Sequence, residues 1–326
     1  MNPTPASKPP SHTPAPRRRR ILLIEDDEAQ YRFLSDMLAD FRKESFDLEW
    51  SSNFNEGLAA LASGRYAACL LDYQLGDRSG LDLLRQSSAA LATTPVILIT
   101  GWTSGDIDLE AVNAGALDYL VKTEITPRTL ERSLRYVLKM TESMQALRQL
   151  ATHDDLTGLF NRREFDRLLN EEWQRASRFG RPFAVTIVDL DHFKRVNDTH
   201  GHLVGDSALR HVASLLAGQV RSIDRVARYG GEEFAIIQVE TDLASALATT
   251  ERLRALLQEM PFQFTGPDGE QTLPLTLSAG VAAYPIHGES AADVVGAADR
   301  ALYSAKTDGR NRVYAAKERK SAALTA

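Results

Sequence analysis

From residue 20 onward the chain alternates short apolar runs with stretches whose apolar residues recur every three or four positions. Ile21-Leu22-Leu23-Ile24, a weaker segment at 47–50, and the runs at 67–71, 96–99 and 119–121 read as strands, with helical patterns between them. Such alternation predicts a doubly wound α/β domain, a five-stranded parallel sheet covered on both faces. Thr126-Pro127 then starts a helix, threonine as N-cap and proline at the first helical position, that runs to about residue 152 without glycine or proline. Leu130, Leu134, Val137, Thr141 and Met144 follow four-three spacing, continued with a drift by Leu147 and Leu150. About 25 residues at 1.5 Å each give a rod of roughly 37 Å. Its apolar seam suits the domain on either side or a twin helix in a dimer. Beyond it, Asn161 caps a helix that ends near Gly180. A β-branched strand covers 183–188, and a loop with Gly201 and Gly205 lies between Val196 and Ala208. Two strand-like runs flank Gly230-Gly231, and a last helix opens at the Ser290/Asp293 pair and closes at Gly309. This second half reads as α+β.

The chemistry-bearing residues stand at the ends of these strands. Gly230-Gly231 permits a tight hairpin, and its tip holds Glu232 and Glu233. The strand at 183–188 runs into Asp189-Leu190-Asp191, at the carboxyl end where open sheets bind ligands. If that strand pairs with the hairpin, Asp189 and Glu232 meet at one edge. Mg²⁺ favours a few carboxylates plus substrate phosphates, and such a pair suits nucleotidyl transfer. Taken alone, Gly-Gly-Glu-Glu also fits a solvated acidic turn. In the front half Asp26 and Asp27 follow the first strand, Asp72 the third, Thr100 ends the fourth and Lys122 the fifth. All five converge on one sheet edge. A carboxylate trio there would bind one Mg²⁺, with Lys122 offsetting the remaining charge. It can accept a phosphoryl group as aspartyl phosphate, which Thr100 would hydrogen-bond.

Composition narrows the classes. The 326 residues suffice for two ordinary cores, and a net charge of −6 argues against general nucleic-acid binding. Cys69, the one cysteine, sits in an apolar run and reads as a small core residue, which fits a reducing cytoplasm. No stretch approaches the roughly 18 apolar residues of a membrane span. Residues 1–19, rich in proline, serine and threonine and ending in arginines, read as a disordered tail, and 317–326 as a second tail. The expected units are therefore 20–124, a linker at 125–152, and 153–316. His192, His200, His202 and His211 crowd one region, but their spacing fits no closed zinc pattern.

Residues 153–314 resemble the GGDEF family of diguanylate cyclases. The resemblance is carried in order by 154–163 (Asp-Asp-Leu-Thr-Gly-Leu-Phe-Asn-Arg-Arg), by Asp189 to Asp198, and by Gly201-His202 with Gly205-Asp206. It continues through Arg228-Tyr229-Gly230-Gly231-Glu232-Glu233-Phe234 and 298–306, and closes at Gly309-Arg310-Asn311-Arg312. The front half resembles the receiver domain of response regulators. Together they imply a receiver, a helical linker and an α+β domain of the nucleotide-cyclase and polymerase-palm type.

The resemblance also implies roles. Asp72 is the phosphoacceptor, Asp26 and Asp27 hold metal, and Thr100, Tyr119 and Lys122 sense the phosphoryl group. The receiver departs from its family's pattern in having Thr123 after Lys122 and Gly76 after the phosphoacceptor loop, both positions where proline is usual. Asp189, the Leu190 carbonyl and Glu232 hold Mg²⁺ or Mn²⁺, and Glu232 or Glu233 takes the proton from the ribose 3′-hydroxyl. Asn197 and Asp206 recognise guanine, whose N1–H and N2–H₂ suit a carboxylate that only accepts. Lys306 and Arg310 hold the triphosphate, helped by Phe193 and Lys194. Arg221 and Asp224, an Arg-x-x-Asp pair just before the hairpin, form an inhibitory site for cyclic di-GMP. The segment 156–159 shapes the entry to the domain. The implied activity is condensation of two GTP into cyclic di-GMP by a homodimer under a sensor histidine kinase, without nucleic acid or membrane insertion. The alternative is an inactive adaptor that binds GTP or cyclic di-GMP.

Overall fold

The structure, a computed structural model, describes residues 18–41, 45–87, 93–101, 105–266 and 269–318, with side chains described except at 105–108. The expected N-terminal tail up to residue 17 and the chain from 319 onward lie outside the described residues. The backbone divides into two units, Met1–Ala146 and Leu147–Ala326.

The first unit runs β1 (Arg19–Ile24), α1 (Glu28–Ala39), β2 (Phe46–Ser51), α2 (Phe54–Ala62), β3 (Ala68–Asp72), the small hairpin β4 (Gln74–Leu75) and β5 (Arg78–Ser79), and α3 (Gly80–Gln86). It continues with β6 (Val96–Thr100), α4 (Gly105–Asn113), β7 (Asp118–Val121) and α5 (Pro127–Thr152). The five long strands are parallel in the order β2-β1-β3-β6-β7, as the apolar runs predict. Alternate strand residues feed two cores. Leu22, Cys69, Leu71 and Leu98 pack with α2 and α3, and Ile21, Leu23, Leu70 and Ile97 with α1 and α5. Cys69 is fully buried, and burial pushes its thiol up, away from reactivity.

The seam of α5 serves two ends. Thr126 accepts the Thr129 N–H at 3.2 Å, as a cap should, and Leu130, Leu134 and Val137 are buried in the receiver core. Met144, Leu147 and Leu150, further along, are 50%, 66% and 64% exposed.

The second unit begins with β8 (Phe160–Asn161), α6 (Arg162–Phe179), β9 (Phe183–Leu190), α7 (Phe193–His200), α8 (His202–Gln219), β10 (Arg225–Arg228) and β11 (Glu233–Gln238). There follow α9 (Leu243–Glu259), the hairpin β12 (Phe262–Gly266) and β13 (Gly269–Leu273), β14 (Leu277–Tyr284), α10 (Ala291–Thr307) and β15 (Val313–Ala315). The sheet order is β15-β14-β9-β11-β10-β8, so β9 lies in the middle, antiparallel to both β11 and β14. Helices α6 and α10 cover one face, and α7, α8 and α9 the other. The loop expected between Val196 and Ala208 is instead two helices joined at Gly201, whose φ of 80° turns the chain where a side chain would be strained.

Gly280 of β14 sets how closely α10 approaches the sheet. A Cβ there would lie 2.0 Å from the Ala298 carbonyl and 2.3 Å from Leu302 N, both backbone atoms that cannot swing aside. Gly280→Ala is therefore expected to destabilise the second unit by about 3 kcal/mol, read from guanidinium unfolding midpoints.

Candidate active site

The central edge of the second sheet gathers the acids. Asp189 closes the buried run of β9, and its Cα partner in the ladder is Glu233. The Leu190 N–H donates to the Glu232 carbonyl at 3.3 Å, while Tyr229 and Gly230 donate to the Glu233 carbonyl at 2.8 and 3.2 Å and close the hairpin. Lys306, in the last turn of α10, brings its Nζ to 2.7 Å from Asp189 Oδ2. Burial raises the Asp189 carboxyl against the pull of Lys306. Burial also raises Glu232, followed by the charge of Asp189, with Lys306 opposing and Glu233 adding to the rise. Asp189, Glu233 and Lys306 thus all act on the Glu232 carboxyl. Two carboxylates beside a strand-end carbonyl suit a hard divalent cation, and the ammonium against Asp189 shows that the site holds positive charge. Arg310 lies near enough for its charge to lower Asp189, and its own backbone N–H caps α10 through the Ala305 carbonyl at 3.0 Å.

Neighbouring groups divide into anchors and exposed ends. Asp191 accepts from Thr276 Oγ1 at 2.8 Å, Ser278 Oγ at 2.6 Å and the Asn311 N–H at 2.9 Å, so it ties three segments together. The Phe193 ring, expected to assist substrate binding, is 3% exposed and belongs to the core. An aromatic ring gains more from that core than from water, so the Phe193 side chain serves packing. Lys194 beside it is exposed. Leu190 likewise buries its side chain.

Asn197 lies on α7 and Asp206 in the second turn of α8. The N-cap of that helix is Gly201, so Asp206 is not a cap. Gly205 fixes Asn197. A Cβ on Gly205 would fall 1.9 Å from Asn197 Oδ1, so the amide occupies the space a side chain would fill. If Asn197 recognises guanine, as the resemblance implies, Gly205→Ala is expected to push the amide aside and weaken GTP binding about tenfold, with a smaller loss for ATP. Calorimetry with non-hydrolysable analogues of both checks this.

Arg221 and Asp224 form a closed pair. Arg221 donates to Asp224 from Nε at 3.2 Å and Nη2 at 3.0 Å, and also to the Val239 carbonyl at 2.8 Å and Thr241 Oγ1 at 2.5 Å. The fork expected to read guanine is turned onto its own aspartate, with the arginine side chain 54% exposed.

In the first unit the strand ends meet as the sequence predicts, with one correction. Glu25, Asp26 and Asp72 each bring a carboxylate oxygen within 4.8 Å of the others. Asp27, expected in this trio, instead accepts the Ala29 N–H at 2.8 Å as the N-cap of α1. The strand ends at Ile24, so the next two acids fall at the edge and the third starts the helix. Lys122 Nζ lies 2.9 Å from Glu25 Oε2 and 3.0 Å from Asp72 Oδ1. Burial raises Glu25 to about 7, Lys122 opposing and Asp72 adding to the rise. Burial likewise raises Asp72. Thr100 is buried at the end of β6, and Tyr119 packs against the core beneath it. Gly76 has φ 62° and donates its N–H to Asp26 Oδ2 at 2.8 Å, which proline could not do. Among the described residues the sole cis peptide is Tyr284–Pro285, so the Lys122–Thr123 bond is trans.

Sheet order, strand-end acids and the Gly-Gly hairpin give the fold of a receiver followed by an α+β domain of the nucleotide-cyclase type. The model described as "Response regulator receiver domain" matches residues 21–135, and "Diguanylate cyclase, GGDEF domain" matches 151–312. The chain belongs to the GGDEF family, as a response regulator with an N-terminal receiver domain and a C-terminal GGDEF domain. It is 38% identical over 208 residues to response regulator PleD of Caulobacter vibrioides, covering 64% of this chain and 44% of that one. It is 42% identical over 170 residues to diguanylate cyclase DgcP of Pseudomonas aeruginosa, covering 52% and 24%. The chain spans less than half the length of these curated relatives. The coiled coil and GGDEF domain of DgcB from Caulobacter crescentus, solved in complex with c-di-GMP, superposes with a TM-score of 0.54 at 35% identity, over 58% of this chain and 98% of that one. No described helix is long and apolar enough to cross a membrane.

Proposed function

We propose that this chain condenses two GTP into cyclic di-GMP and two pyrophosphates, under the control of phosphorylation at Asp72 by a sensor histidine kinase. The convergence of Asp189, Glu232 and Lys306 at the tip of the signature hairpin carries this reading. Asp189, Glu232 and the Leu190 carbonyl would hold Mg²⁺, which supplies charge neutralisation at the phosphates being exchanged. Lys306 and Arg310 grip the triphosphate, and Asn197 with Asp206 selects guanine. Glu232, whose carboxyl burial raises, is the group that takes the 3′-hydroxyl proton. The protein's remaining contribution is alignment of two nucleotides.

Each catalytic unit has one such edge, so two chains must face each other. Exposed Met144, Leu147 and Leu150 on α5 support a paired helix as the dimer contact. Cyclic di-GMP would inhibit by drawing Arg221 away from Asp224.

Purified protein incubated with GTP and Mg²⁺ tests the reading. Cyclic di-GMP and pyrophosphate in a one-to-two ratio are expected. GTP left intact by both the phosphorylated and the unphosphorylated protein would overturn it in favour of an adaptor.

A further inference from the structure

The turn between α5 and α6 is bound to the signature hairpin through one arginine. Arg228, the last residue of β10, donates from Nη1 to both oxygens of Asp154, at 3.2 and 3.1 Å. Its Nε and Nη2 donate to the Gly231 carbonyl at 3.2 and 2.7 Å. The two side chains are only 17% and 22% exposed. The Gly231 carbonyl and the Glu232 N–H belong to one rigid planar peptide unit. A grip on that oxygen therefore sets the orientation of the peptide that leads into Glu232. Neither Gly230 nor Gly231 has a side chain with which to hold the tip in place itself.

Asp154 is held just as firmly. Its Oδ1 accepts the Thr157 N–H at 2.9 Å and the Thr157 hydroxyl at 2.7 Å, and its backbone closes the turn with Gly158 and Leu159, both at 2.8 Å. Burial pushes its carboxyl up, but the Thr157 and Arg228 contacts outweigh this and hold it below the usual range. Asn161, at the far side of the turn, donates to the Ala151 carbonyl in the last turn of α5 at 2.9 Å and caps α6 through Glu164 N at 3.0 Å. Hydrogen bonds at both ends of the short turn 153–161, joined by its backbone, thus connect the end of the linker helix to the peptide before Glu232.

We propose that Arg228 and Asp154 are positioning residues: their ion pair fixes Glu232 against Asp189 and makes the setting of the hairpin depend on the last turn of α5. The inference rests on the reading of Glu232 as a carboxylate of the reacting site. It also gives the turn at 154–159 a role beyond shaping the domain's entry. Lysine cannot substitute at 228, because a point charge does not span a carboxylate and a carbonyl as a planar fork does.

The test compares the full-length chain with Arg228→Lys, Arg228→Ala and Asp154→Asn, by amide hydrogen exchange over residues 229–233 and by GTP turnover. Exchange at the hairpin tip should rise about threefold or more in each variant. The kcat should fall about tenfold or more while affinity for a non-hydrolysable GTP analogue stays within about twofold, since misalignment costs rate rather than binding. Unchanged exchange in Arg228→Ala would overturn the proposal, and so would a kcat that falls only in step with analogue affinity. If the wild-type chain forms no product, the reading of the reaction fails by itself. The exchange data then still decide whether the clamp exists.

Discussion

Under the proposed function, Glu232→Gln is expected to lower cyclic di-GMP formation by about a thousandfold while leaving the fold at least as stable as before. Loss of a general base costs about 10²–10⁴ in rate, and here the same side chain also stands in the proposed cation site. Stability moves the other way for a reason visible in the structure. Burial and the charges of Asp189 and Glu233 raise the Glu232 carboxyl, so its ionised form is disfavoured in the folded state. A carboxyl raised on folding weakens the fold above its unfolded pKa, and the neutral amide removes that cost. Asp189→Asn should lower turnover similarly, and because burial raises the Asp189 carboxyl despite the pull of Lys306, its melting temperature should be no lower than that of the parent. Product chromatography and thermal melts on the same samples separate the two effects. A Gln variant that still turns over GTP would remove Glu232 from the chemistry.

If Asp72 is the phosphoacceptor, as proposed, Asp72→Asn is expected to abolish phosphorylation of the receiver by a small acyl phosphate donor, because it deletes the accepting oxygen. The substitutions around it distinguish the expected trio from the observed one. Glu25→Gln and Asp26→Asn each remove a carboxylate from the cluster and should slow phosphorylation about tenfold or more. Asp27→Ala removes only a helix cap, so it should cost about 1 kcal/mol of stability and leave phosphorylation intact. Phosphate incorporation followed by mass spectrometry reads all four. Equal loss in Asp27→Ala and Asp26→Asn would return Asp27 to the metal site.

The parts legible in the sequence are those in which local pattern and chemistry coincide. Ile21 to Ile24 is apolar throughout, and Phe183 to Val188 is so except at Thr186, because both faces of their strands are covered, and the acids that follow mark the strand ends. The hairpin is legible because Gly230-Gly231 interrupts two strand patterns. The choice between Glu25 and Asp27 was not legible. In a run of three acids it depends on whether the strand ends at Ile24 or one residue later. The pair of helices α7 and α8 was hidden because Gly201 and Gly205 look alike in sequence. One turns the chain at positive φ, whereas the other, inside a helix, makes room for Asn197. Phe193 reads as part of a motif, yet only the folded core reveals that its ring is committed there. Arg228 and Asp154 lie 74 positions apart, and no local pattern links them. The hairpin β12–β13 has its signal in Phe262-Gln263-Phe264-Thr265, apolar and polar by turns, and in the turn sequence Gly-Pro-Asp-Gly at 266–269.

On the proposed reading, Asp189 and Glu232 share a divalent cation beside bound GTP. Calorimetric titration of Mn²⁺ into the chain saturated with a non-hydrolysable GTP analogue measures this directly. The wild-type chain should bind the ion, and Asp189→Asn and Glu232→Gln should each weaken that binding by about tenfold or more. Equal Mn²⁺ affinity in all three proteins would contradict the account.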